Sequence, residues 1–424
     1  MTMRQDGFEI ETLGPCTRPA PVQRSFYQRD DQGVVLDSVQ PLDPQGRSCP
    51  VLLEQAGPRE RIYFAPEQVN AAIVTCGGLC PGLNDVIRGL TMVLWYRYGV
   101  KSIRGIRYGY AGMIPGTPHE PVMLNPALVE DIHKDGGTIL GSSRGPQDTG
   151  AMVDYLVANG INMLFTIGGD GTQRGALDLF REAQRRGIEL SVVGIPKTID
   201  NDLHYTDRTF GFTTAVAMSK DPIECAHNEA KGVFNGVGLV KLMGRHSGFV
   251  AAYAALASSD VNLVLVPEVP FTLDKLMDFL EDRFRRKTHA VIVVAEGAGQ
   301  DLVPVEGWDK SGNKRLGDIG VFLRDTIKVR LQERGTQTSI KYIDPSYIIR
   351  SAPANAVDST FCFMLAQNAV HAAMAGRTGM VISLLNSRYV HVPIAKATEA
   401  RKLIDPHSAL WESVLDNTGQ PELT

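Results

Sequence analysis

Two carboxylates two residues apart, Asp200 and Asp202, close an apolar run in "GIPKTIDNDLHYTDRTFGF" (Gly194–Phe212), with Lys197 and Thr198 just ahead of them. With that spacing in an extended turn, both carboxylates can face one crevice, where one takes a proton while the other organises metal or water. Asp-rich turns are often only solvated loops. A lysine, a threonine and two aspartates gathered at one strand end exceed what solvation asks for. A third carboxylate, Asp170, stands in "LFTIGGDGTQRGA" (Leu164–Ala176) as the one charge in a turn with Gly168, Gly169 and Gly171. Those glycines permit close backbone approach and positive φ, and a lone aspartate there suits Mg²⁺, held through oxygen or a bound water. Thr172 and Gly175 open the next helix, whose first amides favour an anion. An aspartate N-cap accounts for the carboxylate, but not for three glycines around it.

Two further segments have the same form. "VTCGGLCPGLNDVIRG" (Val74–Gly89) is a strand, a glycine turn and a helix, and its bare backbone at Gly77, Gly78 and Gly82 lets amides approach a phosphate. It lacks the lysine and Ser/Thr of a Walker loop and the full dinucleotide fingerprint, so a tight structural turn explains it about as well. "GGTILGSSRGPQD" (Gly136–Asp148) ends in a Ser-Ser-Arg-Gly turn. Arg144 there can clamp a phosphoryl oxygen; taken alone, it reads slightly better as a surface arginine.

The elements that must hold these residues are legible from Asn70 onward. Short β-branched runs ("AAIVTC", "SIRGI", "MLFTIGG", "LSVVGIP", "GVGLVKLMG", "VNLVLVPE", "HAVIVVAEG") alternate with helical stretches such as "ALDLFREAQRRG" and "TLDKLMDFLEDRFRRK". Strands apolar throughout, alternating with amphipathic helices, predict an α/β protein with parallel sheets covered on both faces. Their number over this length implies two doubly wound domains. In such sheets ligands sit beyond the carboxyl ends of the strands, which is where the quoted clusters fall. Residues 1 to about 65 are instead rich in Pro, Gln, Asp and Arg, with apolar patches "GVVLD" and "VLLEQAG", and read as an arm with weak strands.

Composition excludes several classes. A net charge of -4 over 424 residues is no nucleic-acid or anionic-membrane footprint. No apolar run approaches the roughly 20 residues of a membrane span, and the start, "MTMRQDGFEIE", has no secretory core. The final "PELT" is no peroxisome-type address. Six scattered cysteines (Cys16, Cys49, Cys76, Cys80, Cys225, Cys362) fit reduced thiols in a cytoplasmic protein. Cys76 and Cys80 have no second ligand pair nearby and read as small buried residues.

Taken together, "GGDGT", "PKTIDND", "MGRHSGF" and "PEVPF", in this order and spacing, closely resemble the 6-phosphofructokinases. The likeness runs from about Ala71 to about Arg388; "GGDGT" alone is shared with NAD kinases and lipid kinases. The resemblance implies two Rossmann-like domains with the active site in the cleft between them. Residues 1–69 would be the extension, 70–211 with 350–400 the phosphoryl-donor domain, and 212–349 with 401–424 the fructose 6-phosphate domain. It implies transfer of a phosphoryl group to the sugar's 1-hydroxyl, which needs metal-bridged phosphates, a proton acceptor and cations around the transferring group. By resemblance, Asp200 is the base, Asp170 organises Mg²⁺, and Thr198 and Asp202 orient the phosphoryl group and support the base. Arg245 and Arg144 neutralise developing charge. Gly78, Tyr110, Arg144, Gly171, Thr172, Gly175 and Lys197 line the donor site. Met243, Gly244, Arg245 and Glu268 hold the sugar, and Lys341, Tyr347 and Arg350 its 6-phosphate. The family usually forms homodimers or homotetramers.

The departures concern the donor. Many bacterial ATP-using members carry, seven residues before the methionine of the MGR motif, an arginine lent to a neighbouring subunit; here that residue is Gly236. Their usual histidine in the sugar-phosphate cluster is Tyr347 here, and their arginine is Lys341, as in the branch that holds pyrophosphate-using enzymes and ATP-using plant and trypanosomatid ones. Pyrophosphate-users typically carry a second aspartate where this chain has Gly171, and that side chain would repel a nucleotide's α-phosphate. They also carry the lysine that stands here as Lys197. The mixture resembles the ATP-using members of the branch, with pyrophosphate as the alternative donor. An NAD or lipid kinase would leave "PKTIDND" and "MGRHSG" unexplained, and a non-catalytic sugar-phosphate-binding subunit would be expected to have lost Asp170 or Asp200.

Overall fold

A computed structural model of the chain describes residues 7–39, 50–308 and 314–424. Residues 1–6, 40–49 (Cys49 among them) and 309–313 lie outside them. Eleven strands build the two larger sheets: β1 (Asn70–Thr75), β2 (Ser102–Ile106), β3 (Val122–Met123), β4 (Met163–Gly168), β5 (Ser191–Pro196), β6 (Gly236–Leu242), β7 (Leu263–Leu265), β8 (His289–Ala295), β9 (Ser339–Ile343), β10 (Met380–Leu385) and β11 (Arg388–Pro393). The helices that matter below are α1 (Leu83–Val93), α2 (Asp170–Arg185), α3 (Phe212–Lys231), α4 (Phe249–Ser258), α5 (Leu273–Arg286), α6 (Ser346–Arg350) and α7 (Ala356–Met374).

The chain divides into two compact units and passes between them several times. The first comprises 1–198, 203–210 and 352–401, and the second 199–202, 211–351 and 402–424. One of these passages runs through "PKTIDND" itself: the chain leaves the first unit after Thr198 and re-enters it at Leu203.

In the first unit a seven-stranded sheet has the order β11-β10-β5-β4-β1-β2-β3. The five strands from β10 to β2 are parallel, and both edge strands are antiparallel. Every residue of β4 and β5 is buried, the pattern of strands covered by helices on both faces. Helix α2 buries Thr172, Gln173, Ala176, Leu179 and Ala183, a stripe at helical spacing, while its other face is charged. Chain order reverses direction between β1 and β4, so their carboxyl ends flank the switch point where open α/β sheets bind ligands.

The second unit is a four-stranded, all-parallel sheet in the order β7-β8-β6-β9. Its core joins Val237, Leu239, Ile292 and Val294 from the sheet to Leu276, Met277 and Leu280 from α5. Thr272 accepts the Lys275 amide to cap α5, and Arg283, Arg285 and Arg286 in the last turn complement the helix dipole.

The arm belongs to the first unit. Its patches "GVVLD" and "VLLEQAG" pair with each other as Gly33–Val35 against Leu52–Glu54, and Glu11–Thr12 pairs with Arg377–Thr378. A charge network adds to this. Arg59 and Arg377 each bridge Asp30 and Glu54, at 2.6 to 3.0 Å, and His391 Nδ1 lies 3.2 Å from the Glu54 carboxylate. Among the described residues no helix is long and apolar enough to cross a membrane.

Candidate active site

In the first unit the functional side chains sit at the ends of β1, β4 and β5. The backbone turns sharply after β1, with Gly77 at φ +88° and Gly82, the residue before α1, at +100°. A side chain at Gly82 would strike Cys362 Sγ at 2.6 Å, so glycine is required there twice over. Lys197, beyond the end of β5, is buried and donates from Nζ to the Gly78 carbonyl at 2.7 Å. The Arg144 guanidinium lies 2.9 Å from where a Cβ on Gly78 would stand. Gly78, Arg144 and Lys197 therefore meet, putting two cations at one bare stretch of backbone.

The turn after β4 departs from expectation. None of Gly168, Gly169 and Gly171 has positive φ. Gly168 is bare because Thr172 folds onto it: an added Cβ would meet Thr172 Oγ1 at 2.1 Å. Gly169 passes close to the Lys197 carbonyl, 3.2 Å from its own virtual Cβ. Gly171 faces open space: apart from its chain neighbours and its own helix backbone, nothing would lie within 4 Å of a Cβ there, so the protein's own packing sets no demand for glycine. Asp170 is the first residue of α2 and does not cap it; Gly169 holds the cap position. Its carboxylate, mostly buried, meets Arg174 at 3.1 Å and Arg401 at 3.3 Å. Arg174 is anchored in turn on the Thr398 carbonyl.

Tyr110 is in the core. Its hydroxyl donates to the Thr172 carbonyl at 2.7 Å, and its ring occupies the space that a side chain at Gly175 would need, 2.7 Å from a virtual Cβ. These two residues and Thr172 fix the first turns of α2. Cys76 and Cys80 are buried as expected, and none of the five described cysteines forms a disulfide.

In the second unit, the segment Ile199–Asp202 packs against the loop after β6. The Arg245 amide donates to Asp200 Oδ2 at 3.1 Å, and Ser247 Oγ donates to the Asp200 carbonyl at 3.0 Å. The loop reaches this position because Gly244 adopts φ +134°, where a side chain would strike the Ser247 carbonyl at 2.5 Å. Met243 ahead of it is buried. The Asp202 carbonyl accepts the Lys402 amide, and its side chain is buried. Burial, then the Asp202 and Glu296 carboxylates, pushes the Asp200 carboxyl up to about 7, against the opposing pull of the Arg245 amide and the Arg350 charge.

Glu268 accepts the Gly248 amide at 3.0 Å and the Ile404 amide at 2.9 Å, so it tethers the start of α4 to the C-terminal segment. Burial nonetheless raises its carboxyl above the usual range. The three phosphate-cluster residues divide. Arg350, on α6, acts on Asp200 through its charge. Lys341 lies within β9 and pairs with Glu229 at 3.6 Å, while Tyr347 projects into solvent. Gly236, at the position where many bacterial ATP-using members carry arginine, starts β6, and a Cβ there would stand 2.1 Å from the Ala230 carbonyl, so α3 packs too closely for any side chain.

Three residues of this arrangement escaped the sequence reading. Glu296 directly follows β8 in "HAVIVVAEG" and was findable by the same strand-end rule as the others. Arg174 stands four residues after Asp170, one helical turn on. Arg401 carries no local signal at all.

A curated protein from Borreliella burgdorferi named ATP-dependent 6-phosphofructokinase is 47% identical, with 98% of this chain and 97% of that protein covered. One of the same name from Trypanosoma brucei brucei is 46% identical, covering 98% and 88%. The solved structure of a pyrophosphate-dependent phosphofructokinase from Marinobacter aquaeolei superposes with a TM-score of 0.68 at 20% identity, over 84% of this chain and 92% of that one, a likeness of fold. The family model described as "Phosphofructokinase" matches residues 70–373, and with relatives this similar over nearly their whole length the chain belongs to the phosphofructokinase family.

Proposed function

We propose that this chain is an ATP-dependent 6-phosphofructokinase, moving the γ-phosphoryl of Mg-ATP to the 1-hydroxyl of fructose 6-phosphate to give fructose 1,6-bisphosphate. The observation that carries this reading is the Asp200 carboxylate, held by the Arg245 amide and raised toward neutrality beside Asp202 and Glu296. A general base works best with a pKa near the operating pH.

In this reading Asp200 takes the proton from the sugar hydroxyl, and Asp202 and Thr198 support it and the transferring group. Arg245 and Arg144 would meet the charge that builds on the equatorial oxygens. Met243, Gly244 and Glu268 shape the sugar site, Glu268 also through the two amides it holds. Arg350, Lys341 and Tyr347 take the 6-phosphate. On the donor side, Gly78 and Gly171 leave room for phosphate against the backbone, Lys197 adds charge, and Tyr110, Gly175 and Thr172 keep α2 in place.

The donor set fits a magnesium ion that arrives with the polyphosphate. Among the described residues no group of three or more His, Cys, Asp or Glu side chains could cage a metal. Asp170 is a single carboxylate shared with two arginines. Mg²⁺ typically takes one or two carboxylates, water and substrate phosphates. Asp170 would hold it, and the ion would neutralise the bridging phosphate oxygens.

ATP is favoured by the open, uncharged space at Gly171 and by the ATP-dependent activity for which the relatives are named. Pyrophosphate is the second reading, favoured by Lys197 Nζ standing at the glycine turn. Purified protein with Mg²⁺ and fructose 6-phosphate is expected to turn over with ATP; turnover with pyrophosphate alone reverses the assignment. The reading brings with it a glycolytic role in the cytoplasm and a dimeric or tetrameric assembly, the latter open to light scattering.

A further inference from the structure

Away from these strand ends, the first unit holds a cavity of about 700 Å³. Its walls come from the N-terminal arm, the segment after α1, helix α7 and the start of β11, and it shares no lining residue with the donor set. Arg24, Arg97 and Arg388 line it together with Phe26, Tyr389 and His371, and no described aspartate or glutamate does.

The charge balance distinguishes this cavity from its surroundings. Arg59 and Arg377 nearby are matched by Asp30 and Glu54. No described carboxylate pairs with Arg24, Arg97 or Arg388. His371 lies at the cavity wall with Nδ1 2.8 Å from the Tyr98 hydroxyl. Burial, then the charges of Arg24, Arg59 and Arg97, pushes its imidazole down to about 3, as a positive local field would. Two arginines are thus neutralised internally, while three others line one cavity with no described carboxylate among its lining residues. The volume falls in the range of small-molecule sites, and Phe26 and Tyr389 supply ring faces for an apolar portion.

We propose that this cavity binds a small organic phosphate monoester, with the dianionic phosphate on Arg24, Arg97 and Arg388 and its ring or carbon skeleton against Phe26 and Tyr389. Arginine forks match phosphate oxygens bidentately. Because the arm supplies Arg24 and Phe26 while α7 and β11 supply the rest, occupancy would tie the arm to the body of the unit.

The test is a fluorescence titration of 1-naphthyl phosphate, with inorganic phosphate run in parallel. The full-length protein is first saturated with fructose 6-phosphate and the magnesium complex of a non-hydrolysable ATP analogue, so that the proposed donor and sugar sites are blocked. One further equivalent of naphthyl phosphate is expected to bind, more tightly than inorganic phosphate. Arg388→Ala and Arg24→Ala should each weaken it about tenfold or more, with turnover at saturating substrate unchanged. If Arg388→Ala misfolds, Arg24→Ala, in the arm, carries the test. No additional binding, binding indifferent to both substitutions, or inorganic phosphate binding as tightly would overturn the proposal. Dissociation of an oligomer by these variants, read by light scattering, would instead assign the arginines to a subunit contact and overturn it too.

Discussion

The main-chain amide of Arg245 points at Oδ2 of Asp200, 3.1 Å away. A backbone donor cannot be exchanged by mutation, and Gly244 at φ +134° fixes where it points. The carboxylate is thus positioned independently of the arginine's side chain, which is left to interact elsewhere. Asp200→Asn keeps the shape and the acceptor oxygen but removes the base. Turnover should fall roughly a thousandfold, while the dissociation constant for fructose 6-phosphate, measured by calorimetry, changes little. Unchanged turnover removes Asp200 from the chemistry.

The acid limb of the rate profile should lie near pH 7 rather than near 4. Asp200 works ionised, and burial with two neighbouring carboxylates raises its carboxyl to about 7, so kcat/KM for the sugar falls tenfold per pH unit below that value. Glu296→Gln removes one like charge and should move the limb to lower pH. For stability the sign is opposite to that of a salt-bridged acid. A raised carboxyl binds its proton more tightly when folded, so its contribution is fully present below about pH 4 and is lost as pH rises to 7. Asp200→Asn should therefore leave thermal stability at pH 8 unchanged or higher.

Gly171→Asp separates donor choice from folding. The position faces open space, so the unfolding free energy should move by no more than about 0.5 kcal/mol. The added charge would oppose a nucleotide phosphate, and KM for ATP should rise about tenfold or more with the sugar KM held. Lys197→Gly provides the complementary measurement: if pyrophosphate is the donor, its loss should be crippling, and with ATP it should be milder.

Glu54→Gln addresses the arm. Burial works to raise the Glu54 carboxyl, but the His391 hydrogen bond and the charges of Arg377 and Arg59 prevail and hold it far below the usual range. Neutralising it leaves two buried arginines short of a partner and should cost about 3 kcal/mol in denaturant unfolding. The depressed carboxyl also sets a pH window. Its contribution is present above about pH 4 and declines as the solution is acidified further, so the wild-type advantage over Glu54→Gln should shrink there. An equal difference at pH 3 and pH 7 would contradict the network's role.

Strand and helix periods, and the rule that open α/β sheets present their chemistry at strand ends, were sufficient to single out Asp170, Lys197, Asp200 and Asp202 as candidates from letters alone, while Met243 to Arg245 and Glu268 came only from the resemblance to the phosphofructokinases. Each lies directly beyond an apolar run, and backbone periodicity is a property of near neighbours in the chain. Tertiary structure alone decided the rest. It set which glycines are bare for conformation, as at Gly82 and Gly244, and which for packing, as at Gly168 and Gly236. It brought Arg401 to Asp170, Glu296 to Asp200, Arg377 to Glu54, and three unmatched arginines to one cavity. The physical reason is that electrostatic and steric forces act over a few ångströms of space regardless of separation along the chain, so they become readable only once the fold has brought those residues together.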